Sequence, residues 1–153
     1  MLAADYRGPR RMRVASKADP VIQHPRDAIV RVTRSCICGS DLHLYNGLVP
    51  DTRIGTTFGH EFCGIVEEVG RGVRNLKRGD RVVIPSTVGC GNCSYCRAGY
   101  SAQCDDANPM GPTAGTVFFG GPQEAGGLDG LQAEYARVPF AYHNLIKLPD
   151  HVT

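Results

Sequence analysis

The stretch Cys90-Gly91-Asn92-Cys93-Ser94-Tyr95-Cys96-Arg97-Ala98-Gly99-Tyr100-Ser101-Ala102-Gln103-Cys104 holds four cysteines in the spacing Cys-x2-Cys-x2-Cys-x7-Cys. Zinc favours a tetrahedron of soft or borderline ligands, and two-residue gaps let one chain wrap around one ion. Gly89, Gly91 and Gly99 give the backbone freedom such a wrap needs. Four thiolates would leave the ion with a formal charge of −2 and no open position. The run therefore reads as a structural zinc site that ties down a lobe over residues 86–104. A ferredoxin-type cluster begins with the same spacing, but its fourth cysteine follows sooner and precedes a proline. Here Cys104 precedes Asp105. A thioredoxin-like Cys-x-x-Cys would sit in a βαβ unit, which the surrounding pattern lacks.

Around this lobe the composition is that of a single domain large enough to bury a core. The chain has 153 residues, 42% hydrophobic and 21% charged. Its 19 glycines and 10 prolines favour short strands joined by many turns. The net charge of +2 gives no general pull toward nucleic acid. Arg10, Arg11 and Arg13 follow the Gly8-Pro9 turn and read as a solvated strand end. No apolar run is long enough for a signal peptide or a membrane span. Seven cysteines, an odd number, without a secretory signal point to a reducing compartment, so the cytoplasm is expected.

The apolar pattern is short and two-fold. Ala28 to Thr33, Phe62 to Val69, Arg81 to Ile84, Gln132 to Val138 and Leu145 to Leu148 read as strands. Turn signals at Gly8-Pro9, Asp19-Pro20, His24-Pro25, Gly70-x-Gly72 and Gly79-Asp80 punctuate them. Gly39 to Tyr45 can form a short helix. Residues 105–130, rich in Gly, Pro and Asp, read as a surface loop or part of a substrate wall. The expectation is a mainly β domain, a barrel or folded sheet with short helices and long functional loops.

Two further motifs carry chemistry, Cys38-Gly39-Ser40-Asp41-Leu42-His43 and Gly59-His60-Glu61-Phe62-Cys63-Gly64, followed by Gly70 and Val73. Together with the four-cysteine lobe in the same order, they resemble the zinc-dependent medium-chain alcohol dehydrogenases over essentially the whole chain. The resemblance implies a GroES-like, partly open β-barrel as the N-terminal catalytic domain. Cys38 then looks like the thiolate ligand of a catalytic zinc, and His60 like its imidazole ligand. Glu61 looks like a carboxylate that binds the metal in some states. Asp41 matches the acid behind the ligand histidine. Ser40 matches the hydroxyl that takes the alcohol's proton, and His43 the next member of a relay to solvent. Cys90, Cys93, Cys96 and Cys104 match the structural zinc ligands. The implied reaction oxidises an alcohol to an aldehyde or ketone by hydride transfer from an alkoxide on zinc to NAD or NADP.

The chain departs from the family in two respects. It holds no Gly-x-Gly-x-x-Gly turn of the Rossmann type, and the third protein ligand of the catalytic zinc falls beyond the matched region. The expectation is an N-terminal fragment, inactive alone, whose partners are its own C-terminal Rossmann domain, a small alcohol or aldehyde, and further copies of the full-length protein. The run Asp41 to Gly47 and the 105–130 insertion are more similar to the branch of glutathione-independent formaldehyde and threonine dehydrogenases. A non-catalytic zinc-stabilised binding module or a chaperonin-like subunit is the competing class. The first does not need Ser40 and His43 in a relay pattern, and the second needs neither His60 nor the cysteine lobe. Cys36 and Cys63 read as small core residues, and His24, His143 and His151 as structural or exposed.

Overall fold

The computed structural model describes residues 1–152. Among the described residues, nine strands and three short α-helices follow one another: β1 (Leu2–Tyr6), β2 (Met12–Ser16), β3 (Ala28–Ser35), α1 (Gly39–Tyr45), β4 (Phe62–Val69), β5 (Arg81–Val83), β6 (Thr87–Val88), α2 (Ser94–Arg97), β7 (Val117–Phe118), β8 (Tyr135–Val138), α3 (Ala141–Asn144) and β9 (Ile146–Lys147). The central sheet has the order β8-β3-β4-β5-β9, and every pairing in it is antiparallel. Two ribbons flank it, β1-β2 and β6-β7. The sheets stay open, so the architecture is the partly open form of a barrel.

The sheet forms where the sequence alternates. β4 reads buried at Phe62, Gly64 and Val66 and less buried between them, as a strand with one face on a core requires. Val30, Val66, Val82 and Val138, one from each of β3, β4, β5 and β8, are all fully buried. Such a side chain contributes about 1.5–3 kcal/mol when removed from water. Gly64 is needed for space: a Cβ there would lie 2.5 Å from Val30 Cγ1 and 2.6 Å from the Arg31 carbonyl oxygen. Bulges between Ile29 and Val30 and between Val32 and Arg34 bend β3, and its far half is exposed.

Four strands had no clear periodic signal: β1, β2, β6 and β7. β1 is held by the segment before His60, through Tyr6 N to Thr56 O at 2.9 Å and Gly55 N to Tyr6 O at 2.8 Å. Arg10, Arg11 and Arg13 do sit at the exposed tip and outer strand of this ribbon. The 105–130 segment is more than surface: it supplies β7, and Val117 and Phe119 are buried in the main core. Among the described residues, no helix is long and apolar enough to cross a membrane.

Candidate metal centres

The first centre is built by a helix start. Cys38 is the N-cap of α1, and Asp41 is the third helical residue; each side chain accepts from the other's end of the turn. Ser40 N donates to Cys38 Sγ at 3.4 Å, and Cys38 N donates to Asp41 Oδ2 at 2.9 Å. Leu44 on the same helix is buried against Tyr6 and Phe58, whose rings stack 5.2 Å apart, which fixes the helix on the domain. Asp41 itself is buried, and its Oδ1 also accepts from Gly59 N at 3.2 Å. This one carboxylate thus joins the Cys38 turn to the segment that carries His60.

His60 is buried, and its Nε2 lies 2.9 Å from Cys38 Sγ. Its other nitrogen, Nδ1, is 3.7 Å from Asp41 Oδ1 and has no hydrogen-bond partner. Phe118 packs edge-on against the imidazole, with ring centroids 6.0 Å apart. Donor atoms of Cys38, Asp41 and His60 all fall within 4.8 Å of one another. Asp41 is nevertheless a poor candidate for direct ligation, because its oxygens already face Cys38 N, Gly59 N and His60 Nδ1. Cys38 and His60 are the pair free to hold an ion. On a tetrahedral zinc, sulfur and nitrogen ligands are separated by about 3.6 Å. A modest opening of the pair therefore admits the metal.

The structure does not bring Glu61 into this group: the residue is exposed and contributes no donor atom to it. Ser40 and His43 are both exposed on α1, three residues apart and so on one face.

The second centre gathers all four lobe cysteines, whose sulfurs lie within 4.8 Å of one another. Cys93 Sγ and Cys104 Sγ are 3.9 Å apart, close to the edge of about 3.8 Å expected for thiolates on a tetrahedral zinc. Backbone N–H groups point at the sulfurs, from Asn92 and Cys93 to Cys90, each at 3.3 Å, and from Cys90 to Cys104 at 3.2 Å. Burial pushes the Cys90 thiol up to about 11 and raises Cys96 and Cys104 for the same reason. The N–H of Cys96, donating to Cys93, helps bring that thiol down to about 7. Buried thiols that resist ionisation yield their protons when a cation takes their place, so the donor set fits zinc.

The lobe is fastened to the sheet by α3. Asn144 accepts from Gly89 N at 3.0 Å and donates to Gly89 O and Pro139 O, each at 2.9 Å. Tyr142 donates its hydroxyl to Cys90 O, and His143 Nε2 lies 3.1 Å from Ser101 Oγ. Sequence reading placed His143 outside every motif and missed Asn144 and Tyr142. No local signal marks them as anchors, since their partners in the lobe lie 42 to 55 residues away.

Taken together, the structure is a mainly β domain that carries two metal-donor sets, a closed group of four thiols and an open Cys–His pair. The family model described as "Alcohol dehydrogenase GroES-like domain" matches residues 24–150, and the chain belongs to that family. It is 45% identical over 98% of its length to the uncharacterized zinc-type alcohol dehydrogenase-like protein AdhB of Bacillus subtilis, of which it covers 39%. It is 39% identical over 95% of its length to the glutathione-independent formaldehyde dehydrogenase of Pseudomonas aeruginosa, of which it covers 37%. Among solved structures, alcohol dehydrogenase TADH from Thermus sp. ATN1 superimposes with a TM-score of 0.89 at 42% identity, over all of this chain and 41% of that one. The chain thus spans about two fifths of the length of the relatives it matches.

Proposed function

We propose that the chain is the N-terminal catalytic domain of a zinc-dependent alcohol dehydrogenase that oxidises an alcohol to an aldehyde or ketone. The hydride acceptor is NAD or NADP, carried by a C-terminal Rossmann domain of the full-length protein. The observation that carries this reading is the approach of Cys38 Sγ and His60 Nε2 to 2.9 Å, with Asp41 behind the other ring nitrogen.

Cys38 and His60 hold the catalytic ion, and Asp41 fixes the tautomer and orientation of His60. Glu61 reaches the ion only if its side chain turns in from the surface, which makes it the exchangeable member of the set. When bound, zinc supplies Lewis acidity that lowers the pKa of an alcohol hydroxyl. Ser40 accepts the proton that leaves the alcohol and His43 passes it to solvent, so no charge is stranded beside the reacting carbon. Phe118 walls the site on the His60 side and keeps water from it. Cys90, Cys93, Cys96 and Cys104 hold a structural zinc. The substrate is a small alcohol or aldehyde hydrate, and the full-length enzyme is a cytoplasmic homo-oligomer. A non-catalytic module gives no reason for a close Cys–His pair beside Ser40 and His43.

The test is substitution in the full-length protein. Cys38→Ser and His60→Ala should each remove one of two zinc ions per chain and abolish NAD(P)-dependent alcohol oxidation. Undiminished turnover in either variant would refute the assignment.

A further inference from the structure

We infer that Gln132 is a positioning residue that, with Asp41, sets the separation between the two segments bearing Cys38 and His60; this rests on the zinc reading of that pair. Gln132 lies on the run leading into β8, far from both motifs in sequence, yet it touches both segments. Its backbone N donates to Phe58 O at 2.9 Å, and the preceding Leu131 N donates to Gly59 O at 3.0 Å. Its side-chain Nε2 then reaches across to donate to Cys36 O at 3.1 Å. A carbonyl accepts only from a donor, which settles the orientation of the amide.

The stem of Gln132 occupies the space a side chain on Gly59 would need: a Cβ at Gly59 would lie 2.7 Å from Gln132 Cγ. Gly59 also has φ +101°, a conformation that favours glycine. The pair therefore interlocks, and the amide spans from the segment bearing His60 to the one bearing Cys38. The neighbouring backbone link, Cys36 N to Glu61 O, is 3.4 Å long and constrains the gap weakly. Gln132 thus acts through the two ligands and makes no contact of its own with the ion.

The experiment is a Co²⁺ titration of the full-length protein after its four-cysteine lobe has been filled with zinc, read by the thiolate charge-transfer and d–d bands. Gln132→Met keeps the stem and removes the donor; Gln132→Glu keeps the shape and sets a carboxylate against the Cys36 carbonyl. Cys38→Ser marks which bands belong to the site. Loss of one hydrogen bond predicts weaker Co²⁺ binding by about threefold to tenfold in Gln132→Met, with shifted d–d bands, and a larger loss in Gln132→Glu. Melting temperature and lobe zinc content should stay at wild-type values. Wild-type affinity and spectra in both variants would overturn the inference, as would parallel loss of zinc from the lobe. A wild-type full-length protein with no Cys38-dependent band would overturn the zinc reading itself, and the role of Gln132 with it.

Discussion

Asp41 Oδ1 lies 3.7 Å from His60 Nδ1, while Cys38 Sγ lies 2.9 Å from the Nε2 of the same ring. The imidazole is thus held between an acid on one nitrogen and a thiol on the other. A buried carboxylate in that place favours the Nδ1–H tautomer and leaves Nε2 as the nitrogen free for a metal. Asp41→Asn should weaken metal binding at the Cys38–His60 site by about 10-fold to 100-fold. Zinc in the four-cysteine lobe should be unaffected, and metal analysis after graded chelation separates the two sites.

Removing any lobe thiol should have a different signature. Cys96→Ser leaves three sulfurs and a buried hydroxyl, so the lobe loses its ion while Cys38 and His60 keep their geometry. One zinc per chain should disappear under mild chelation, and proteolysis should cut first within residues 86–104. The sheet core, with Val30, Val66, Val82 and Val138, does not depend on the lobe and should remain protected in hydrogen exchange.

Gly59→Ala tests the close packing beneath the first centre. The added Cβ would meet Gln132 N at 2.9 Å and Leu131 N at 3.3 Å, both backbone atoms that cannot swing away. With the positive φ added, the cost should be about 2–4 kcal/mol. A fall in denaturant midpoint with an unchanged slope would record it; a neutral result would contradict this packing.

The pH dependence of stability should show the buried Asp80. Its Oδ1 lies 2.7 Å from Lys147 Nζ, and Lys77 N donates to Oδ2 at 2.9 Å. The Lys147 hydrogen bond is the main cause that holds this carboxyl below its ordinary 3.8. A lowered folded pKa stabilises the fold fully above the unfolded value, and the gain is lost as pH falls through the folded one. Asp80→Asn should therefore lower the melting temperature at pH 7, and the gap to wild type should shrink below about pH 4. A gap that stayed constant down to pH 2 would show that Asp80 contributes nothing through its charge.

The 153-residue chain alone should show no alcohol oxidation with added NAD or NADP, because on the proposed reading Cys38 and His60 supply only two protein ligands and no Gly-x-Gly-x-x-Gly turn lies in its sequence. Turnover above the buffer blank would sink that expectation. The lobe zinc should persist through purification of the same sample.

Much of the site was legible because its parts are local. The Cys-x2-Cys-x2-Cys run, the Cys38 to Asp41 helix start and the Phe62 to Val69 alternation are each written within one turn or one strand. β1 and β2 were not legible, since neither carries a clear periodic pattern of its own; they pair across the Gly8-Pro9 turn, and the Thr56 to Phe58 segment holds β1 alone. β7 was hidden inside a Gly- and Pro-rich stretch, where two buried residues, Val117 and Phe119, frame the half-buried Phe118 that packs on His60.

The sequence by itself determined which atoms could bind metal, because donor chemistry and short spacing are properties of residue types. The tertiary structure alone decided which of them meet. Cys38 and His60 are 22 residues apart, and Gln132 reaches Cys36 across 96. Contacts at such separations are fixed by sheet register and core packing, which no local stretch encodes. That is why Glu61, adjacent to His60 in sequence, stands outside the group, while Asp41, Phe118 and Gln132 stand around it.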